Sequence, residues 1–175
     1  MALIRLNNQS ISSVTALPGG IDTGKVGQVI ESVKTDTAST SSSTFSAISG
    51  LNATITPSSS SSKILVSVNL QVGQSSTTTA LFKLYRGNQA VGIGGANGNR
   101  QTVGFKVSPD NLHWTFPVSY EYLDSPSTTS AITYYVYWRN NGNTVYINRN
   151  SSFGNDSSND ASTPISTITA MEVIA

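Results

Sequence analysis

Residues 131–148 read Ala-Ile-Thr-Tyr-Tyr-Val-Tyr-Trp-Arg-Asn-Asn-Gly-Asn-Thr-Val-Tyr-Ile-Asn, and they constrain the chain more than any other stretch. Ile132, Tyr134, Val136 and Trp138 alternate with Thr133, Tyr135 and Tyr137. A side-chain period of two marks a strand, not a helix. Asn140-Asn141-Gly142 tolerates positive φ and predicts a hairpin turn. Val145 and Ile147 then continue the apolar face on the return strand, with Tyr146 opposite. Large side chains thus occupy both faces, whereas a sheet with one wet face shows a polar second face. The expectation is a β domain with one face in its own core and the other against a second copy of the chain.

Other stretches repeat the pattern. Ile64, Val66, Val68, Leu70 and Val72 alternate with Lys63, Ser67, Asn69 and Gln71, and Leu65 is the exception on the polar face. Strands are also predicted from Val26, around Leu51, Ala53 and Ile55, over residues 80–86, 90–93, 103–107 and 112–123, and over 165–174. Trp114, Phe116, Val118, Tyr120 and Tyr122 are expected to share a face, and Pro117 opposite them implies a sheet edge or a bulge. Residues 35–43, the serine run 58–62, and 150–163 read as loops. Turn signals separate about ten short strands, which points to an all-β antiparallel sandwich or jelly roll. Residues 1–26 look different: apolar residues stand irregularly among polar ones before Pro18-Gly19-Gly20. The expected organisation is an extended N-terminal anchoring arm over 1–26 and a β domain over 27–175.

Composition narrows the partners. Charged residues make up 11% of the chain and the net charge is +1, against roughly 25% charged in ordinary soluble domains. No basic stripe suggests nucleic acid, and no run approaches the ~20 apolar residues of a membrane span. The lack of cysteine and of an N-terminal apolar run is expected of a chain made in a reducing cytosol.

No motif carries chemistry. Gly19 to Lys25 has phosphate-loop spacing, but Val26 stands where Ser or Thr would hold magnesium, and no strand precedes or helix follows. The glycines of residues 92–98 miss dinucleotide spacing and read as a loop. His113 is the only histidine, and no serine lies in a Gly-x-Ser-x-Gly elbow. Glu121 and Asp124 are the one carboxylate pair on an aromatic strand, but a glycosidase needs both facing a groove. Asn155, Asp156, Asn159 and Asp160 offer oxygens without the order of a calcium loop. The reading is a non-enzyme with no catalytic residue, no cofactor and no metal.

What remains is surface. Tyr135, Tyr137 and Tyr146, with Leu65, are the expected subunit-interface residues, since amphipathic tyrosines suit interfaces or a carbohydrate surface. Leu3, Ile4, Leu6, Ile11, Val14 and Leu17 are the expected anchoring pegs, able to dock on a neighbour as an added strand.

Several segments carry a resemblance: residues 5–10, Leu17-Pro18-Gly19-Gly20-Ile21-Asp22-Thr23-Gly24-Lys25-Val26, Ile55-Thr56-Pro57-Ser58-Ser59 before Lys63-Ile64-Leu65-Val66, Leu123-Asp124-Ser125-Pro126, residues 131–138 and 143–148, and Ser166-Thr167-Ile168-Thr169-Ala170-Met171-Glu172. Together they resemble small virion proteins of tailed bacteriophages, above all marine and cyanobacterial ones. The likeness runs over nearly the whole chain, although each motif is short. It implies a virion structural protein with a trimeric jelly-roll head, similar in plan to tumour-necrosis-factor-like and complement-type heads. It also implies a place on the particle surface among major capsid or other virion proteins, after synthesis in the host cytoplasm. The chain lacks the coiled-coil heptads of a fibre shaft, which favours a capsid decoration or knob protein. The alternative is the receptor-binding head of a short tail fibre, reading a host surface glycan.

Overall fold

A computed structural model describes residues 25–108, 114–151 and 162–174. They form eleven strands: β1 Lys25–Lys34, β2 Ala38–Thr40, β3 Ser46–Ile55, β4 Lys63–Gln74, β5 Ala80–Arg86, β6 Gln89–Val91, β7 Phe105–Val107, β8 Phe116–Asp124, β9 Ile132–Arg139, β10 Val145–Ile147 and β11 Ser166–Ile174. All pairings are antiparallel. Sheet A runs β1-β11-β4-β10-β2 with β8 on the other edge of β4, and sheet B runs β3-β9-β5-β6 with β7 beside β5. The molecule is an antiparallel β-sandwich of the jelly-roll kind.

The alternation explains the layers. Ile64, Val66, Val68, Leu70 and Val72 of β4 are fully buried, as are Phe82 and Leu84 of β5 and Tyr134 and Val136 of β9. Every second residue of each strand thus faces the other sheet, as the pleat requires. Phe82 stacks on Phe105 at 5.0 Å, and Phe105 on Tyr120 at 4.9 Å, so three rings bridge the sheets at the core. Pro117 points outward from β8, which pairs only with β4 among the described strands and is therefore an edge. That is where a residue without an N–H is tolerated.

The expected hairpin over residues 131–148 does not form. β9 pairs with β3 and β5 in sheet B, while β10 pairs with β2 and β4 in sheet A. Both edges of β9 are occupied, so the chain leaves sheet B after Arg139 and crosses to sheet A. Residues 35–43 hold the short strand β2, not only a loop. Trp114 lies outside β8 and is 61% exposed, so it does not share the inner face of Phe116, Val118, Tyr120 and Tyr122.

A polar joint holds sheet A together where one edge of β4 changes partner. β11 covers that edge from Lys63 to Asn69 and β10 from Val72 to Gln74. Gln71, in the gap, would otherwise leave its backbone groups unpaired. Its N–H donates to Ser166 Oγ at 3.0 Å, and its carbonyl accepts from Asn148 N at 2.9 Å. Asn148 is fully buried with φ of 60°. Its amide Nδ2 donates to the carbonyls of Lys34 and Asp36, and its Oδ1 accepts from Ser166 Oγ. Buried backbone groups are nearly always paired, and here one side-chain hydroxyl and one backbone N–H complete the ladder.

Candidate functional site

The outer face of sheet A is built from the alternate residues of four strands. Their register aligns Val29 of β1, Met171 of β11, Leu65 of β4 and Leu123 of β8 in one row. This apolar row crosses the strands. Val29 is 50% exposed and Leu123 46%. Val26 and Val173 pair on one side of the row, beside Lys63. On the other side the next row is Glu31, Thr169, Ser67 and Glu121, followed by Val33, Thr167, Asn69 and Ser119. Short hydroxyl bridges order that polar part: Ser67 Oγ donates to Glu121 Oε1 at 2.9 Å and Ser119 Oγ to Asn69 Oδ1 at 2.8 Å. The face therefore has an apolar stripe between a lysine and two carboxylates.

The outer face of sheet B carries the tyrosines. Tyr85 of β5 stacks on Tyr137 of β9, with centroids 4.0 Å apart, and Tyr85 lies directly opposite Tyr135 in register. The cations of Lys83 and Arg139 sit over the ring of Phe45, at 4.4 and 5.5 Å. Aromatic faces attract such cations, and the pairs leave an ordered aromatic surface.

These positions separate the expected interface residues. Leu65 and Tyr146 lie on the outer side of sheet A, where the Arg149 guanidinium covers the Tyr146 ring at 4.2 Å. Tyr135 and Tyr137 lie on the outer side of sheet B. The failed hairpin is the reason, because β9 and β10 belong to different sheets. Val29, Met171, Leu123 and Tyr85 were not singled out from sequence. Met171 was visible in the alternation of β11, but an irregularity between Val26 and Val29 breaks the alternation of β1. The expected pegs Leu3, Ile4, Leu6, Ile11, Val14 and Leu17 lie outside the described residues, as do His113, Asn155, Asp156, Asn159, Asp160 and the phosphate-loop-like segment up to Gly24.

Two buried polar clusters close the sandwich. Asp124 faces inward from β8, and Arg86 reaches it from β5, with Nη1 at 3.0 and 2.8 Å from the two carboxylate oxygens. The Tyr134 hydroxyl donates to the same carboxylate at 2.7 Å. Burial, reinforced by that hydrogen bond, pushes the Tyr134 phenol far above its ordinary range. Glu121 faces outward, exposed, so it and Asp124 share no groove. At the other cluster, Glu172 is buried. Gln28 Nε2 donates to it at 2.8 Å, and the Ser58 N–H and hydroxyl donate at 2.6 and 2.7 Å. The Gln28 hydrogen bond foremost, with those from Ser58, holds its carboxyl down at about 2 against the opposing effect of burial. Among the described residues no group of three acids or histidines could hold a metal ion. No family model matches the chain, and no curated protein is similar to it.

Proposed function

We propose that the protein is a structural subunit of a bacteriophage particle, a capsid decoration or knob protein. It associates with copies of itself through the outer face of sheet A and is held to the shell by the N-terminal residues that precede β1. The observation that carries self-association is the row Val29, Met171, Leu65 and Leu123, a partly exposed apolar stripe that Val26 and Val173 extend on one side and a row of hydroxyls and carboxylates borders on the other. Contiguous apolar surface of this kind marks interaction sites. A second copy is the simplest occupant, since Lys63 and the acids Glu31 and Glu121 flank the row on opposite sides. The surface thus carries both halves of ion pairs that two copies can make across it. The virion assignment rests on the sequence resemblance. Many copies on one particle would multiply modest contacts into firm attachment.

Light scattering on the purified protein tests the association. The expected mass is about three times the 18.4 kDa chain, the trimer that the resemblance implies. Placing charge in the stripe with Leu65→Lys and Met171→Lys is expected to give a folded single chain. A monomeric parent protein, or a double variant that keeps the parent's mass, overturns the assignment of this face.

A further inference from the structure

Arg86 lines an open cleft at one end of sheet B, on a surface separate from the outer face of sheet A. The cleft has a volume of about 460 Å³, within the roughly 300–1,000 Å³ of small-ligand sites. Its walls divide evenly by chemistry. Tyr135, Ile132 and Pro126 supply apolar surface; Arg86, Thr128 and Thr133 supply polar groups. The Tyr135 hydroxyl makes no hydrogen bond among the described residues, and its ring is half-buried, so one part is fixed while another faces the cleft.

The electrostatics select the ligand. Arg86 is already neutralised by Asp124, which bonds its Nη1, while Nη2 donates to Gln89 Oε1 at 3.3 Å. A guanidinium has five N–H donors, so donors remain, oriented by the ion pair but without net positive charge to draw a phosphate or a carboxylate. A shallow, half-polar cleft does not suit a lipid chain. Ser127, between two wall residues, has φ of 52°, and strained backbone of this kind gathers at ligand sites.

We infer that this cleft binds a neutral pyranose sugar, with the Tyr135 ring under the C–H face of the sugar and Arg86, Thr128 and Thr133 on its hydroxyls. A pyranose has the same split character as the cleft, hydroxyls at its rim and C–H groups on its faces. An amphipathic tyrosine fits that boundary. The inference goes beyond the structural role and does not depend on it, since the two surfaces lie on different sheets. On a particle, one weak site per subunit becomes a strong one by multivalency, so a shell protein with this cleft would hold the particle to a glycan-coated surface.

Saturation-transfer NMR on the full chain tests it, with glucose, galactose, mannose and N-acetylglucosamine at millimolar concentration, and glucuronic acid for comparison. Transfer to the ring protons of at least one neutral sugar is expected. Tyr135→Ala and Tyr135→Leu are expected to weaken it about tenfold or abolish it; Tyr135→Phe and Tyr146→Ala are expected to keep it. Tyr135→Leu retains bulk, so it remains informative if the alanine variant does not fold. No transfer from any neutral sugar, transfer from glucuronic acid alone, or transfer unchanged in Tyr135→Leu overturns the inference. Light scattering on the same samples reads the subunit association independently, so failure of one assignment is not mistaken for failure of the other.

Discussion

Glu172 is expected to contribute to the acid stability of the domain. It is a buried carboxylate held by Gln28 and Ser58. Its folded pKa of about 2 lies below the ordinary 4.5, so the folded state favours its ionised form. The resulting stabilisation is complete above pH 4.5 and is lost as the pH falls through 2, because the unfolded chain takes up the proton first. The denaturation midpoint followed from pH 7 downwards is therefore expected to fall across that window. In Glu172→Gln this part of the fall is expected to disappear, with lower stability at pH 7. An unchanged acid limb in the variant would show that other carboxylates control it. The structure places Glu172 among the inward-facing positions of β11, but the donors come from residues 28 and 58, and no local spacing in the sequence announces that meeting.

Most of the strands were legible because they carry their own alternation; the irregular β1 and the short β2 were the exceptions. β4, β9 and β11 bury the residues that the period of two puts on one side, and Pro117 correctly marked an edge. The joint at Asn148 was not legible, since it depends on where two other strands stop. Asn148 combines positive φ with three side-chain hydrogen bonds. Asn148→Ala is expected to cost about 3 kcal/mol, from unpaired buried groups together with the left-handed backbone. Asn148→Gly removes the same hydrogen bonds but accepts the backbone, so its loss is expected to be smaller by about 1 kcal/mol. Equal losses in urea denaturation would show that the backbone conformation contributes nothing there. Gly92 is a companion case: with φ of 60°, an added Cβ would collide with the Tyr120 hydroxyl and the Tyr122 ring, so the start of the 92–101 loop is fixed by the aromatic face of β8.

At the scale of the molecule, the two outer faces divide the work proposed for it. Sheet A offers the apolar stripe to other copies, and the end of sheet B offers the cleft. The contacts of Val26 with Val173 and of Gln28 with Glu172 tie β1, which starts at Lys25, to β11. Removing residues 1–24 leaves those contacts intact. The shortened protein is expected to stay folded, since every contact of the sandwich described above lies within residues 25–174, and to lose attachment to particles in a co-sedimentation assay. Retained attachment would move the anchor into the β domain; a large drop in melting temperature would make the first residues part of the fold.

The class of fold, the faces of most strands and the poverty of charge could be read from the chain alone, because side-chain alternation and composition are local properties that every residue carries with it. Which strands are neighbours emerges from the assembled fold. Alternation says that Tyr135 and Tyr146 each point away from a core, but not that β9 has both edges filled and sends β10 to the other sheet. Strand pairing joins residues far apart in the chain, and it is settled by competition among edges for hydrogen bonds. For the same reason the row Val29, Met171, Leu65 and Leu123 came into view only once four strands were set side by side in register.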